Sequence, residues 1–177
     1  MTIGDTIARI AQSYNGQEEI QPNQGFKDPA YAAKIAATGW VKPDPWCAAA
    51  AIVVWTQAYA EVNPALGLKA KHLYSLNSQQ MARNFHADPV WPTSTTVPMV
   101  GSIVVFGDGD STTTGHTGVV VAVDPDGITY YTEEGNTVPD GFKGDLREGF
   151  IVATHTHKVG MPHSVTGLNL IRFVHPM

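Results

Sequence analysis

The chain has 177 residues, which is long enough for one well-packed domain and short for two. Hydrophobic residues make up 43% and charged residues 15%, a composition typical of a globular protein. The net charge of −5, without any cluster of Lys and Arg, argues against a nucleic-acid partner. A single cysteine excludes an intramolecular disulfide, so the fold does not depend on an oxidising compartment.

Neither an export signal nor a membrane span is evident in the sequence. The N-terminal segment shows no basic region followed by an apolar region, so no classical signal peptide is predicted. The longest apolar run, from Trp46 to Trp55, is about half of the length that a membrane-spanning helix needs. We therefore expect a soluble protein that does not interact with a membrane.

Two short helices are predicted near the N-terminus. Apolar residues at helical spacing, preceded by the capping-box pair Thr2 and Asp5, predict a helix over residues 3–14. A second helix begins with Asp28 as its N-cap and Pro29 at its first position, and it ends by the next glycine.

The third predicted helix carries the only cysteine. Asp44 as N-cap and Pro45 at the first position place Cys47 in the first turn of a helix that runs to about Val62. Its first half is apolar all round, which indicates a helix in the middle of the core. A further helix is predicted over residues 76–85, with 63–74 as a loop.

The second half of the chain is rich in β-strand patterns. Asp, Gly and Pro residues separate five runs: SIVVF, HTGVVVAVD, GITYYTEEGN, GFIVATHTH and NLIRFVHP. The sequence DPDG at 124–127 predicts a hairpin turn between the second and third runs. Helices followed by an antiparallel sheet predict an α+β domain, in which the helix that carries Cys47 packs on the sheet.

Cys47 has two interpretations. A lone cysteine beside alanines is most often a small buried core residue. In the first turn of a helix, however, a thiol lies near free backbone N–H groups and the positive end of the helix dipole, which stabilise the thiolate form. A buried helix behind it would hold such a nucleophile rigidly.

A thiolate nucleophile needs a base and an orienting partner, and the sheet offers candidates for both. His116 begins a strand directly after a loop, so we expect its side chain at the edge of the sheet. Glu134 and Asn136 share one face of the next strand, and the hairpin would bring one of them across from His116. Either side chain could accept from the second ring nitrogen and fix the tautomer; Glu134 is the first choice.

The segments WCAAA, VGSIVVF, GHTGVVVAV and TEEGNT, in this order, resemble the CHAP group of cell-wall amidases and peptidases, which are related to the NlpC-type peptidases. The similarity spans residues 39–137. It implies a papain-like fold, with 1–38 as a helical N-terminal extension and 39–177 as the catalytic core of a single domain. It also implies Cys47 as nucleophile and His116 as base, with Glu134 and Asn136 supporting the histidine.

One position departs from the family pattern. Many relatives have Gln or Asp immediately before the cysteine, where this chain has Trp46. The backbone N–H of Cys47 therefore remains the firm candidate for an oxyanion donor. Trp46 and Trp40 are predicted to line a substrate groove, although tryptophan more often packs in a core.

Two patterns suggest metal binding only weakly. His155 and His157 share a strand face near His163, but no Cys, Asp or Glu stands with them at ligand spacing. We interpret this histidine pair as polar surface and predict no metal. Asp108 and Asp110 begin a calcium-loop-like sequence that lacks its later ligands, so at most a weak calcium site is expected there, and no other cofactor.

The function predicted from these patterns is hydrolysis of amide bonds in bacterial peptidoglycan, within a stem peptide or at the lactyl amide, by a monomeric cysteine enzyme. Two alternatives remain: a non-catalytic papain-like module that binds wall fragments or a partner protein, and an amidase acting on another substrate. A wall hydrolase without a signal peptide would reach the periplasm or wall through phage lysis or a secretion system. A secreted effector would also require an immunity or inhibitor protein.

Overall fold

The structure is a computed structural model and describes residues 2–109, 113–144 and 149–177. Five helices come first: α1 Ile3–Ser13, α2 Pro29–Ala36, α3 Cys47–Val62, α4 Pro64–Lys71 and α5 Ser78–Ala87. Six strands follow: β1 Thr93–Ser94, β2 Ile103–Gly107, β3 Gly115–Val123, β4 Thr129–Thr137, β5 Ile151–Lys158 and β6 Asn169–Val174. Within these three ranges, no helix is both long and apolar enough to span a bilayer.

The strands form one sheet in the order β1-β6-β2-β3-β4-β5, and every neighbouring pair is antiparallel. The predicted hairpin joins β3 to β4, with the N–H of Gly127 donating to the carbonyl of Asp124. The predicted α+β class and the five long strands are confirmed. Strand β1 was not predicted, because two residues are too short for an alternating pattern.

The central helix α3 lies against the sheet. Its residues from Cys47 to Trp55 are all buried, and those from Ala48 to Trp55 share one hydrophobic cluster with Val119 and Val152 of the sheet. Alternate strand positions point to opposite faces, so Val120 and Tyr130 belong to a second cluster on the other face. The sheet is therefore buried on both sides at its centre.

The beginning of α3 differs from the prediction. The N-cap is Trp46 rather than Asp44, Cys47 is the first helical residue, and Pro45 precedes the cap. Asp44 lies in the preceding turn, where its carbonyl accepts the indole N–H of Trp40 at 2.6 Å. The helix begins only after Trp46, which is fully buried and donates its indole N–H to Glu19.

The predicted loop over 63–74 contains helix α4, so that prediction was wrong. The Asn63–Pro64 sequence that ends α3 also begins α4, because the Asn63 side chain accepts the N–H of Leu66 and proline occupies the first position. Helix α5 begins at Ser78, two residues later than predicted, with Asn77 as its N-cap.

Candidate active site

Cys47 is the first residue of helix α3, whose first turn has no side-chain cap. Its side chain is mostly buried, with the residue 7% exposed. The first N–H groups of a helix have no partner within the helix, and the dipole is positive there. The helix can approach β4 closely because Gly135 has no side chain. A Cβ added at that position would lie only 2.6 Å from the Cβ of Ala50.

His116 lies next to Cys47 and contacts a carboxylate on its other side. The Nε2 atom is 2.8 Å from Oε2 of Glu134, and the residue is 5% exposed. The imidazole also hydrogen-bonds with the Cys47 side chain. Since Nε2 is engaged with Glu134, Nδ1 is the nitrogen left for the thiol.

The charge of His116 is governed by this carboxylate. Burial disfavours the imidazolium, but the negative charge of Glu134 and the hydrogen bonds with Cys47 and Glu134 outweigh it and raise the pKa of His116 to about 10. His116 is therefore an imidazolium at neutral pH.

Glu134 is completely buried and accepts four hydrogen bonds. Its Oε1 accepts from the hydroxyl of Thr132 at 2.6 Å and from Nε2 of His157 at 2.8 Å. Its Oε2 accepts from Nε2 of His116 and of His163, each at 2.8 Å. Burial raises the pKa of this carboxyl, but the charge of His116 and the three histidine hydrogen bonds hold it well below its usual range.

Gly118, two residues after His116 on β3, makes room for the carboxylate. A Cβ at this position would lie 2.6 Å from Cγ of Glu134 and 3.0 Å from the carbonyl oxygen of Glu133. The second glycine of the GHTG motif is therefore a steric requirement of the His116–Glu134 pair.

Asn136 occupies a different position from the one expected. It has φ of 55°, a left-handed conformation, at a bulge in β4 between Glu134 and Thr137. Among the residues described, its buried Oδ1 has no hydrogen-bond partner, and no bond joins it to His116. The carboxylate that contacts His116 is thus Glu134, and strain in the backbone presents Asn136 separately.

The two tryptophans proposed as substrate contacts lie in the core. Trp46 is fully buried, packs edge-on against Phe26 and donates its indole N–H to Glu19 at 2.8 Å. The expectation that Trp46 contacts substrate is therefore corrected, because no surface of it is left for a ligand. Trp40 is 8% exposed, with its indole N–H engaged by Asp44.

The interpretation of the C-terminal histidines as polar surface was wrong. His155 and His157 of β5 and His163 of the following loop are all buried. His155 contacts Asp140 and Thr137, whereas the other two contact Glu134. The alternation of histidines on a strand next to the TEEGN strand was the sequence signal for such a contact.

Three donor atoms of this cluster meet the spacing of a metal site. Ligand atoms of His116, Glu134 and His163 lie within 4.8 Å of one another. However, Nδ1 of His163 accepts two backbone N–H groups, so in the neutral ring Nε2 carries the hydrogen and has no lone pair for a metal. The weak calcium site expected near Asp108 and Asp110 stays a prediction, since Asp108 is exposed and Asp110 lies outside the described residues.

Comparisons with solved structures show a similar fold. One structure titled "The crystal structure of Ly7917" aligns with a TM-score of 0.51 and 17% identity, covering 99% of this chain and 63% of that chain. A second, titled "The crystal structure of Ly7917 with the hydrolyzing product of MDP", aligns with a TM-score of 0.49 and 16% identity over the same shares. This chain thus spans less than two thirds of the length of the protein it resembles.

Comparisons of sequence identify the family. No curated protein matches the chain significantly. The CHAP domain family model matches residues 32–136, which is more than half of the chain and contains Cys47, His116 and Glu134. The chain therefore belongs to the CHAP domain family.

Proposed function

We propose that the protein is a cysteine hydrolase of papain-like fold that cleaves amide bonds of bacterial peptidoglycan. The observation that carries the proposal is the row of three buried side chains, Cys47, His116 and Glu134, with the cysteine at the uncapped start of α3. Membership of the CHAP domain family supports a cell-wall substrate.

The first half of the proposed reaction forms a thioester. His116 and Cys47 rest as an imidazolium–thiolate pair, with the thiol proton on Nδ1 of His116, and the sulfur attacks the carbonyl carbon of the scissile amide. The oxyanion that develops is stabilised by the backbone N–H of Cys47 and the helix dipole behind it. His116 then donates its proton to the departing amine, which leaves the acyl group on sulfur.

The second half restores the enzyme. Neutral His116 takes a proton from water, and the hydroxide attacks the thioester. The carboxylic acid leaves, and the sulfur departs as a thiolate beside the imidazolium of His116. Glu134 stays ionised throughout and stabilises each imidazolium that forms. We include Asn136 as a supporting residue, because its partnerless Oδ1 lies at the bulge directly after Glu134.

Digestion of purified sacculi with the wild type and with Cys47→Ala tests the proposal. His72→Ala is the control variant, because His72 is an exposed histidine distant in sequence from Cys47 and His116. We expect soluble fragments from the wild type and the control, none from Cys47→Ala, and similar melting temperatures for all three. Mass spectrometry of the fragments identifies the bond.

Two results would contradict the proposal. Fragments released by folded Cys47→Ala at the wild-type rate would exclude the cysteine mechanism. Binding of the wild type to sacculi without any release of fragments would favour the non-catalytic module instead.

A further inference from the structure

His163 lies outside the segment that the family model covers, yet it contacts the central carboxylate. It stands in the loop between β5 and β6 and is 1% exposed. Its Nε2 and that of His116 meet the same oxygen, Oε2 of Glu134, at 2.8 Å each. A buried histidine on the carboxylate that orients another histidine is not explained by the three proposed catalytic residues.

The loop fixes the tautomer of His163. The backbone N–H groups of Val165 and Thr166 both donate to its Nδ1 at 3.1 Å. Nδ1 is therefore an acceptor, and the hydrogen of the neutral ring is on Nε2, where it points at Glu134. Burial also lowers the pKa of His163 and outweighs the opposite effect of Glu134.

We propose that His163 is a positioning residue, a neutral imidazole locked as the Nε2–H tautomer by its own loop, which keeps Glu134 ionised and aimed at His116. This inference deepens the proposed function and rests on it. It places one more residue of the site in the segment between β5 and β6.

The surroundings of Glu134 show why a neutral donor suits this place. The titratable groups that face it are His116 of β3, Tyr130 on its own strand, His157 of β5 and His163, with Cys47 of α3 beyond His116. If His163 were protonated, its positive charge would repel the imidazolium of His116 on the same carboxylate. A neutral N–H instead stabilises the carboxylate without competing for its charge.

Two substitutions separate the two ends of the His163 ring. His163→Gln places an amide donor near the former Nε2 and can still donate to Glu134. His163→Asn places an acceptor near the former Nδ1 and can still accept from Val165 and Thr166, but it cannot reach the carboxylate. If His163 only holds its own loop, His163→Asn should retain wild-type behaviour. If His163 positions Glu134, His163→Gln should retain it instead.

The readout is the pH dependence of kcat/KM for soluble peptidoglycan fragments. Loss of one donor to a buried carboxylate should move the acid limb upward by about one to two pH units in His163→Asn. The acid limb of His163→Gln should stay near that of the wild type. Acid limbs that coincide for the wild type and His163→Asn, or that shift equally in both variants, would overturn the proposal.

A second measurement on the wild type needs neither folding of the variants nor activity. Long-range ¹H–¹⁵N NMR spectra of the histidine rings should show His163 protonated on Nε2 alone at neutral pH, and His116 protonated on both nitrogens. A doubly protonated His163, or one protonated on Nδ1, would overturn the proposal. If these spectra agree but no fragment is hydrolysed, the proposed function fails while the role of His163 toward Glu134 stands.

Discussion

The negative charge of Glu134 controls the protonation of His116, and Glu134→Gln removes that charge while keeping the size of the side chain. In the folded protein the pKa of His116 is raised from 6.5 to about 10, and Glu134 is the largest of the causes that raise it. Burial alone acts in the opposite direction. We therefore expect the pKa of His116 to fall to about 6.5 or lower in the variant.

The expected loss of activity follows from this change. The fall from about 10 to about 6.5 is about 3.5 pH units, which corresponds to ~5 kcal/mol of lost preference for the imidazolium. At a pH one unit above the new pKa, only about one tenth of His116 carries the proton that the departing amine needs. The alkaline limb of kcat/KM should move from near pH 10 to about pH 6.5, and activity about one pH unit above the new pKa, near pH 7.5, should fall about tenfold.

The assay is an NMR titration of the His116 ring beside the pH profile of fragment hydrolysis. Glu133→Gln is the matched control, because Glu133 is the neighbouring glutamate and contacts Asn15 and Thr154 instead of His116. The control should keep the wild-type titration. An unchanged His116 titration in Glu134→Gln would refute the assignment of Glu134 as the charge that sustains the imidazolium.

Three further predictions concern steric fit, the core and stability. Gly118→Ala places a Cβ 2.6 Å from Cγ of Glu134, so the Glu134 side chain must move. We expect kcat to fall at least about tenfold and the unfolding free energy to fall by about 1–3 kcal/mol. A wild-type kcat in this variant would contradict the prediction. Trp46→Phe leaves Glu19 without its indole donor, so the unfolding free energy should fall by about 1–3 kcal/mol while KM stays constant; a raised KM would return Trp46 to the substrate site. Because the pKa of His116 is raised in the folded protein, protonation of His116 stabilises the fold fully below pH 6.5, and this stabilisation is lost as pH rises through about 10. Denaturant titrations should show the loss in the wild type and not in His116→Ala.

Local patterns were enough to predict most elements of the fold. The capping box of Thr2 and Asp5 and the Asp28 cap depend on neighbouring residues only, and both occur. The strands follow from alternation. The start of α3 could not be predicted from local preferences, because the burial of Trp46 and the contact of its indole with Glu19, 27 residues earlier, decide where the helix begins.

The inner part of the site depends on contacts between distant segments. Cys47, His116 and Glu134 could be selected because each stands at a recognisable helix or strand position. The surroundings of Glu134 could not, because His157 reaches it through the register of β4 and β5. His163 reaches it through a turn closed by its own side chain. The position of His163 is not visible in periodicity or spacing, and the sequence signal for His157 is its alternation with His155 on one strand.

The most direct test of the central claim uses the single cysteine of the chain. Iodoacetamide can alkylate only Cys47 among the thiols, so intact-protein mass spectrometry follows modification of that one residue. We predict that hydrolysis of sacculi is lost with the same rate constant as Cys47 is alkylated, and that no activity remains at full modification. Fully alkylated protein that still hydrolyses sacculi would show that Cys47 is not the nucleophile.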